Sequence, residues 1–214
     1  MIIGDTNLIS FDVNEFQNAY EQCEDPTLAA YDVGSYERAS SYGLVELDSD
    51  DVVVGFEEKP DEPESTLASI ACYAIPGEML SLFDRYLDGD NNPDEPGWFI
   101  QWLQDRETVR AFTFEDAWFD IGTPESYLDA VAWYLDGESY VAPSADVSDA
   151  SVGSNAQVLA DATLSDVVIE DSVVFSGAEL VDCEIRDSVI DRETKIEGVD
   201  LSGALIGAHT NLGY

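Results

Sequence analysis

Positive charge is scarce in this 214-residue chain. Lys and Arg together number 8, only Lys59 and Lys195 are lysines, and His209 is the single histidine. So few cations exclude nucleic-acid binding through a basic surface. Cysteine is nearly as rare. Cys23, Cys72 and Cys183 are isolated, odd in number and in no CxxC spacing. This excludes a disulfide framework and reads as reduced, partly buried thiols of a cytoplasmic protein. The chain has no signal-peptide pattern and no apolar run near the roughly 20 residues of a membrane helix, so no membrane association is expected.

Acid is what the chain has instead: 46 Asp and Glu, for a formal net charge of −38. The acids are spread, 32 in residues 1–140 and 14 in residues 141–214, so they do not form a single interaction tail. With 45% hydrophobic and 11% aromatic residues the chain can build a core and is not a disordered polyanion. Even acidity over a globular body reads as adaptation to high salt, where counterions screen self-repulsion.

Periodicity divides the chain near residue 140. Before it, strands alternate with helices, the pattern of an α/β layer fold. Met1–Asp5 reads as a buried strand ending in Gly-Asp, and Val13–Cys23 as a helix with Phe16 and Tyr20 on one face. Thr27–Val33 is strand-like and Gly34–Tyr42 a polar connection. Gly43–Leu47 and Val52–Glu57 form a hairpin around Asp48-Ser49-Asp50-Asp51. Strand Leu67–Ile75, a helix from about Glu78 to Leu87, a short helix from about Trp98 to Gln104 and strand Val109–Phe114 follow.

Beyond Tyr140 apolar residues come every five or six positions: Val141, Val147, Val152, Val158, Leu164, Ile169, Val174, Leu180, Ile185, Ile190, Ile196, Leu201, Ile206 and Leu212. Small or turn-forming residues separate them. A near-hexapeptide period without helical periodicity predicts a parallel β-helix, each short strand turning one apolar side chain inward; a loose antiparallel β-domain is the alternative. The expected organisation is two domains, residues 1–139 and 140–214.

Three stretches carry chemistry. In Trp118-Phe119-Asp120-Ile121-Gly122-Thr123-Pro124-Glu125-Ser126-Tyr127, a β-prone run stops at a carboxylate and turns into a helix capped by Thr123, with Pro124 at its first position. Asp120 thus lies at the C-terminal end of a strand, where open α/β sheets bind ligands, although an aspartate there can simply serve the turn. Tyr42-Gly43 precedes a hairpin that ends in Glu57-Glu58-Lys59-Pro60. Lys59 either offsets neighbouring carboxylates or offers phosphate oxygens a compact donor. Gly4-Asp5-Thr6 closes the first strand.

Together these stretches resemble the sugar-1-phosphate nucleotidyltransferases, whose catalytic domain is a mixed Rossmann-like sheet followed in many members by a left-handed parallel β-helix. By that resemblance Asp5 and Asp120 hold Mg²⁺, Gly43 and Glu58 contact the sugar, and Lys59 meets its phosphate. Thr6 stands where the family has asparagine. The implied partners are a sugar 1-phosphate and a nucleoside triphosphate, and the product is a nucleotide sugar. Asp120 and Lys59 are then the catalytic pair, and the β-helix is expected to support a homo-oligomer. The family's glycine-rich triphosphate loop lies upstream of Gly-Asp-Asn, so the chain is expected to correspond to the sugar-phosphate and metal half of the domain. The other function weighed is a non-catalytic assembly or regulatory subunit. His209, in Gly207-Ala208-His209-Thr210-Asn211, reads as a solvent-facing turn residue rather than an acyl-transfer base.

Overall fold

A computed structural model describes residues 2–3 and 7–213. The chain folds as two compact units, residues 1–118 and 119–214.

The first unit is a mixed sheet with a core on each face. Its elements in order are β1 (Ile2–Ile3), β2 (Asn7–Ile9), α1 (Val13–Cys23), β3 (Thr27–Asp32), α2 (Tyr36–Ala39), β4 (Gly43–Leu47), β5 (Val53–Glu58), β6 (Leu67–Ala74), α3 (Ser81–Leu87), α4 (Pro96–Gln104) and β7 (Arg110–Thr113). Strand order is β5-β4-β6-β3-β7, with β1 also paired to β6. The β3–β7 pair is parallel; β3–β6, β4–β6 and β4–β5 are antiparallel. In β3 successive side chains alternate sides, and both sides are buried. Leu28 and Ala30 join Val45, Tyr86, Phe99 and Leu103 on one face. Ala29 joins Phe11, Phe16, Ile70 and Trp118 on the other. Helix α1 enters at Asp12, whose side chain accepts from Asn14 N at 2.9 Å, and buries Phe16 completely. The connection expected across Gly34–Tyr42 contains the single-turn α2, started by Ser35, whose Oγ accepts from Arg38 N at 3.3 Å. Four residues are too few to leave an apolar period in the sequence.

Strand β8 (Trp118–Asp120) spans the division between the units, and α5 (Pro124–Leu135) opens the second. The rest of the second unit is a parallel β-solenoid. Its strands pair with those about one coil further on: Val158 with Val174, Val174 with Ile190, and Ile190 with Ile206. After a first coil of 17 residues the coil is therefore 16 residues long, shorter than the 18 that three hexapeptides would give. The apolar residues of the repeat form three stacks: Val141–Val158–Val174–Ile190–Ile206, Val147–Leu164–Leu180–Ile196–Leu212, and Val152–Ile169–Ile185–Leu201. Leu164, Ile169, Leu180, Ile185 and Ile190 are fully buried.

The short coil goes with tight corners, each after the first turned by a residue with positive φ. One corner recurs as Asn155, Asp171, Asp187 and Gly203, a second as Asp161, Gly177, Glu193 and His209, and a third as Asp166, Asp182 and Gly198. Asp and Asn enter the left-handed region more readily than other non-glycine residues. Of the 14 acids in residues 141–214, Asp149, Asp161, Asp166, Asp171, Asp182, Asp187 and Glu193 have positive φ, so half of the solenoid's acidity has a backbone role. His209 is such a corner residue: exposed, left-handed at φ 60°, with Nδ1 3.0 Å from Glu193 one coil before.

Inside the same solenoid Ser172 and Ser188 are fully buried and pass a hydrogen bond from coil to coil. Ser188 N donates to Ser172 Oγ, and Ala204 N to Ser188 Oγ, each at 3.0 Å. Helix α5 packs on this unit through Tyr127, whose ring lies 6.5 Å from that of Phe175. Among the described residues no helix is long and apolar enough to cross a membrane.

Candidate functional site in the first unit

The antiparallel β4–β5 ladder brings the two ends of the hairpin together. Gly43 is directly opposite Glu58, and Lys59 N donates to Tyr42 O at 3.2 Å. Lys59 leaves the strand with φ 47°, a left-handed step that turns its side chain out of the sheet. Tyr42 is braced edge-on by Trp118, ring centroids 5.0 Å apart, and Trp118 Nε1 donates to Asn7 Oδ1 at 2.7 Å. Gly43, Glu58 and Lys59, three residues of the sequence expectation, therefore sit side by side.

Helix α4 closes the other side and supplies residues that no motif indicated. Glu58 N donates to Gln101 Oε1 at 3.0 Å. The Glu58 carboxylate lies between two glycines. A methyl at Gly43 would come within 2.6 Å of Glu58 Oε2, and one at Gly97 would overlap that oxygen and come within 2.9 Å of Oε1. Lys59 Nζ bonds Glu95 Oε1, and Trp98 Nε1 donates to Glu95 Oε2 at 3.1 Å. The sequence indicated only a short helix from about Trp98; in the structure that helix begins at Pro96. Glu95 and Gln101 lie 36 and 43 residues from Lys59 and Glu58, beyond the reach of local pattern.

The charges respond to this geometry. Burial raises the Glu58 carboxyl above its ordinary value, Lys59 pulls it down and Glu95 pushes it up. The hydrogen bond to Glu95 raises the Lys59 ammonium, and the Glu95 carboxyl is lowered by the bonds from Lys59 and Trp98. Both partners report the same pairing. It is exposed, so its contribution to stability is small.

Asp120 ends β8, half-buried, and belongs to the second unit. Gly122 follows so closely that a methyl there would lie 3.3 Å from Asp120 Oδ1. Thr123 and Ser126 then form a reciprocal capping box: Ser126 N donates to Thr123 Oγ1 and Thr123 N to Ser126 Oγ, both at 3.2 Å. The expected strand–carboxylate–helix passage is thus built as its residues dictate. Asp5 lies outside the described residues. Among the described residues no three His, Cys, Asp or Glu side chains converge as a metal-binding group.

Comparison with known proteins adds identity to this geometry. A family model described as nucleotidyl transferase matches residues 1–137. The glucose-1-phosphate adenylyltransferase of Clostridium perfringens (strain 13 / Type A) is 28% identical over 217 residues, covering 92% of this chain and 55% of the relative. That of Desulfitobacterium hafniense (strain DSM 10664 / DCB-2) is 29% identical over 197 residues, covering 89% of this chain and 48% of its own. That of Thermomicrobium roseum is 35% identical over 125 residues, covering 55% of this chain and 28% of its own. The chain spans about half the length of the Clostridium and Desulfitobacterium relatives.

Proposed function

The chain belongs to the nucleotidyl transferase family, and on that premise we propose that it serves nucleotidyl transfer to a sugar 1-phosphate, with the acceptor held in its first unit. The observation that carries the reading is the side-by-side placement of Gly43, Glu58 and Lys59 on the paired ends of β4 and β5. Lys59 would take the phosphate, a compact ammonium facing a dianion. Glu58 would accept hydrogen bonds from sugar hydroxyls, and Gly43 would let the sugar approach the backbone. In the reaction an oxygen of the sugar phosphate attacks the α-phosphorus of a nucleoside triphosphate. A new P–O bond forms, the α–β phosphoanhydride breaks, and pyrophosphate leaves with the electron pair. The protein's part is to position the acceptor and neutralise charge. The relatives' names make glucose 1-phosphate and ATP the first substrates to try.

Asp120 would hold a divalent cation, with Asp5, and Mg²⁺ is the one we infer. The fit rests on the donor: a half-buried carboxylate just before a capped helix start is a hard oxygen ligand. Mg²⁺ takes one or two carboxylates plus substrate phosphates rather than an all-protein cage. Such an ion would supply charge neutralisation at the reacting phosphates. We infer also a cytoplasmic, salt-adapted homo-oligomer joined through the solenoid, whose outer faces expose Val168, Val181 and Leu205. No observation favours the non-catalytic subunit.

Titration calorimetry of glucose 1-phosphate into the chain in molar KCl tests the acceptor site. Saturable binding that Lys59→Ala weakens about ten- to a hundredfold is expected, the loss typical of a charged hydrogen bond. Binding unaffected by Lys59→Ala overturns the assignment. Where nucleotidyl transfer is measured, Asp120→Asn should slow pyrophosphate release and leave that binding unchanged.

A further inference from the structure

Gly97 has no backbone reason to be glycine. It is the second residue of α4, and it is not among the residues with positive φ. Alanine is the better helix former. What a side chain would meet there is the Glu58 carboxylate.

We propose that Gly97 is a positioning residue for the acceptor sugar: its missing side chain is what keeps the Glu58 carboxylate recessed between α4 and the hairpin. On its other side the carboxylate meets the hairpin. There it faces Gly43, where a methyl would lie 2.6 Å from both Glu58 Oε2 and Phe56 Cζ, and Phe56 is buried. The Glu58 backbone is tied by its ladder with Gly43 and by the side chain of Gln101. Gln101 stands four residues after Gly97, so both fall on one face of α4. One helix face thus holds the backbone of Glu58 and leaves room for its head. With a methyl at residue 97, the carboxylate must swing out toward solvent while Lys59 stays where it is. A recessed carboxylate beside a lysine selects a phosphate carried on a polyhydroxylated ring over a bare phosphate. This deepens the acceptor reading above and rests on it.

The test compares glucose 1-phosphate with inorganic phosphate by calorimetry in molar KCl, for wild type, Gly97→Ala, Glu58→Ala and the double variant, with thermal melts of each. Wild type should prefer the sugar phosphate. Gly97→Ala should lose about tenfold in that preference, as for a charged hydrogen bond, while its affinity for inorganic phosphate stays unchanged. Glu58→Ala should lose as much. Adding Gly97→Ala to it should remove nothing further and should raise the melting temperature, because the steric conflict is gone and helix propensity remains. A Gly97→Ala protein that keeps the wild-type preference overturns the proposal, and so does a double variant with additive losses. If Gly97→Ala alone fails to fold, a stable double variant supports the conflict with Glu58 and an unstable one refutes it. A wild type that shows no preference rejects the acceptor reading itself, before any substitution is made.

Discussion

Lys59 Nζ is bonded to Glu95, and Glu95 is held in turn by the indole N–H of Trp98. The one lysine of the first unit is therefore already paired before any phosphate arrives. A sugar phosphate must exchange with that carboxylate or tolerate its repulsion. Glu95→Gln should therefore tighten glucose 1-phosphate binding several-fold in calorimetry. Weaker binding would instead place Glu95 among the sugar contacts.

Glu58 should oppose folding at neutral pH. Burial raises its carboxyl above the ordinary value, so the folded state holds the proton more tightly than the unfolded chain. The stability linked to that proton is fully present below the unfolded value and is lost as pH rises through the folded one. Glu58→Gln should consequently melt higher than wild type at pH 7, the gap closing as pH falls below the ordinary carboxyl value. Paired melts across that range check the sign; a variant that melts lower at pH 7 contradicts it.

The buried serines and the apolar stacks of the solenoid should separate by size. Ser188→Ala leaves Ala204 N–H without its acceptor, at a cost of about 1–3 kcal/mol. Ile190→Ala empties a fully buried position and should cost about 2–5 kcal/mol. Denaturant unfolding of the solenoid transition measures both, and equal losses would mean the coil collapses around the smaller residue.

Salt should act through the acids that turn no corner as well as through those that do. Screening shortens from about 10 Å at 0.1 M to about 3 Å at 1 M salt, so the melting temperature should climb between 0.1 and 2 M KCl. Changing Asp161, Asp166, Asp182 and Asp187 to Asn keeps a side chain tolerant of positive φ and removes four charges. That variant should fold and show a flatter salt dependence. A melting temperature insensitive to KCl in the wild type would reject the salt-adapted reading.

Local chemistry determined much of this protein from the sequence alone. Every apolar residue of the near-hexapeptide run lines one of three solenoid stacks, because a period-five-or-six pattern can bury its large side chains only by coiling. Likewise Thr123, Pro124 and Ser126 suffice to start α5. Each of these is a decision between neighbours along the chain. The 16-residue coil was less legible, since it depends on which Asp, Glu or Asn takes a left-handed φ, and many acids in the sequence look equally able. The walls of the proposed acceptor site lay beyond the sequence. Glu95, Gly97 and Gln101 meet Glu58 and Lys59 only because α4 packs against the end of β5, burying Phe99, Ile100 and Leu103. That packing is non-directional burial between segments some 40 residues apart. Sequence pattern marks which face of α4 is apolar; tertiary packing alone decides what its N-terminal turn touches.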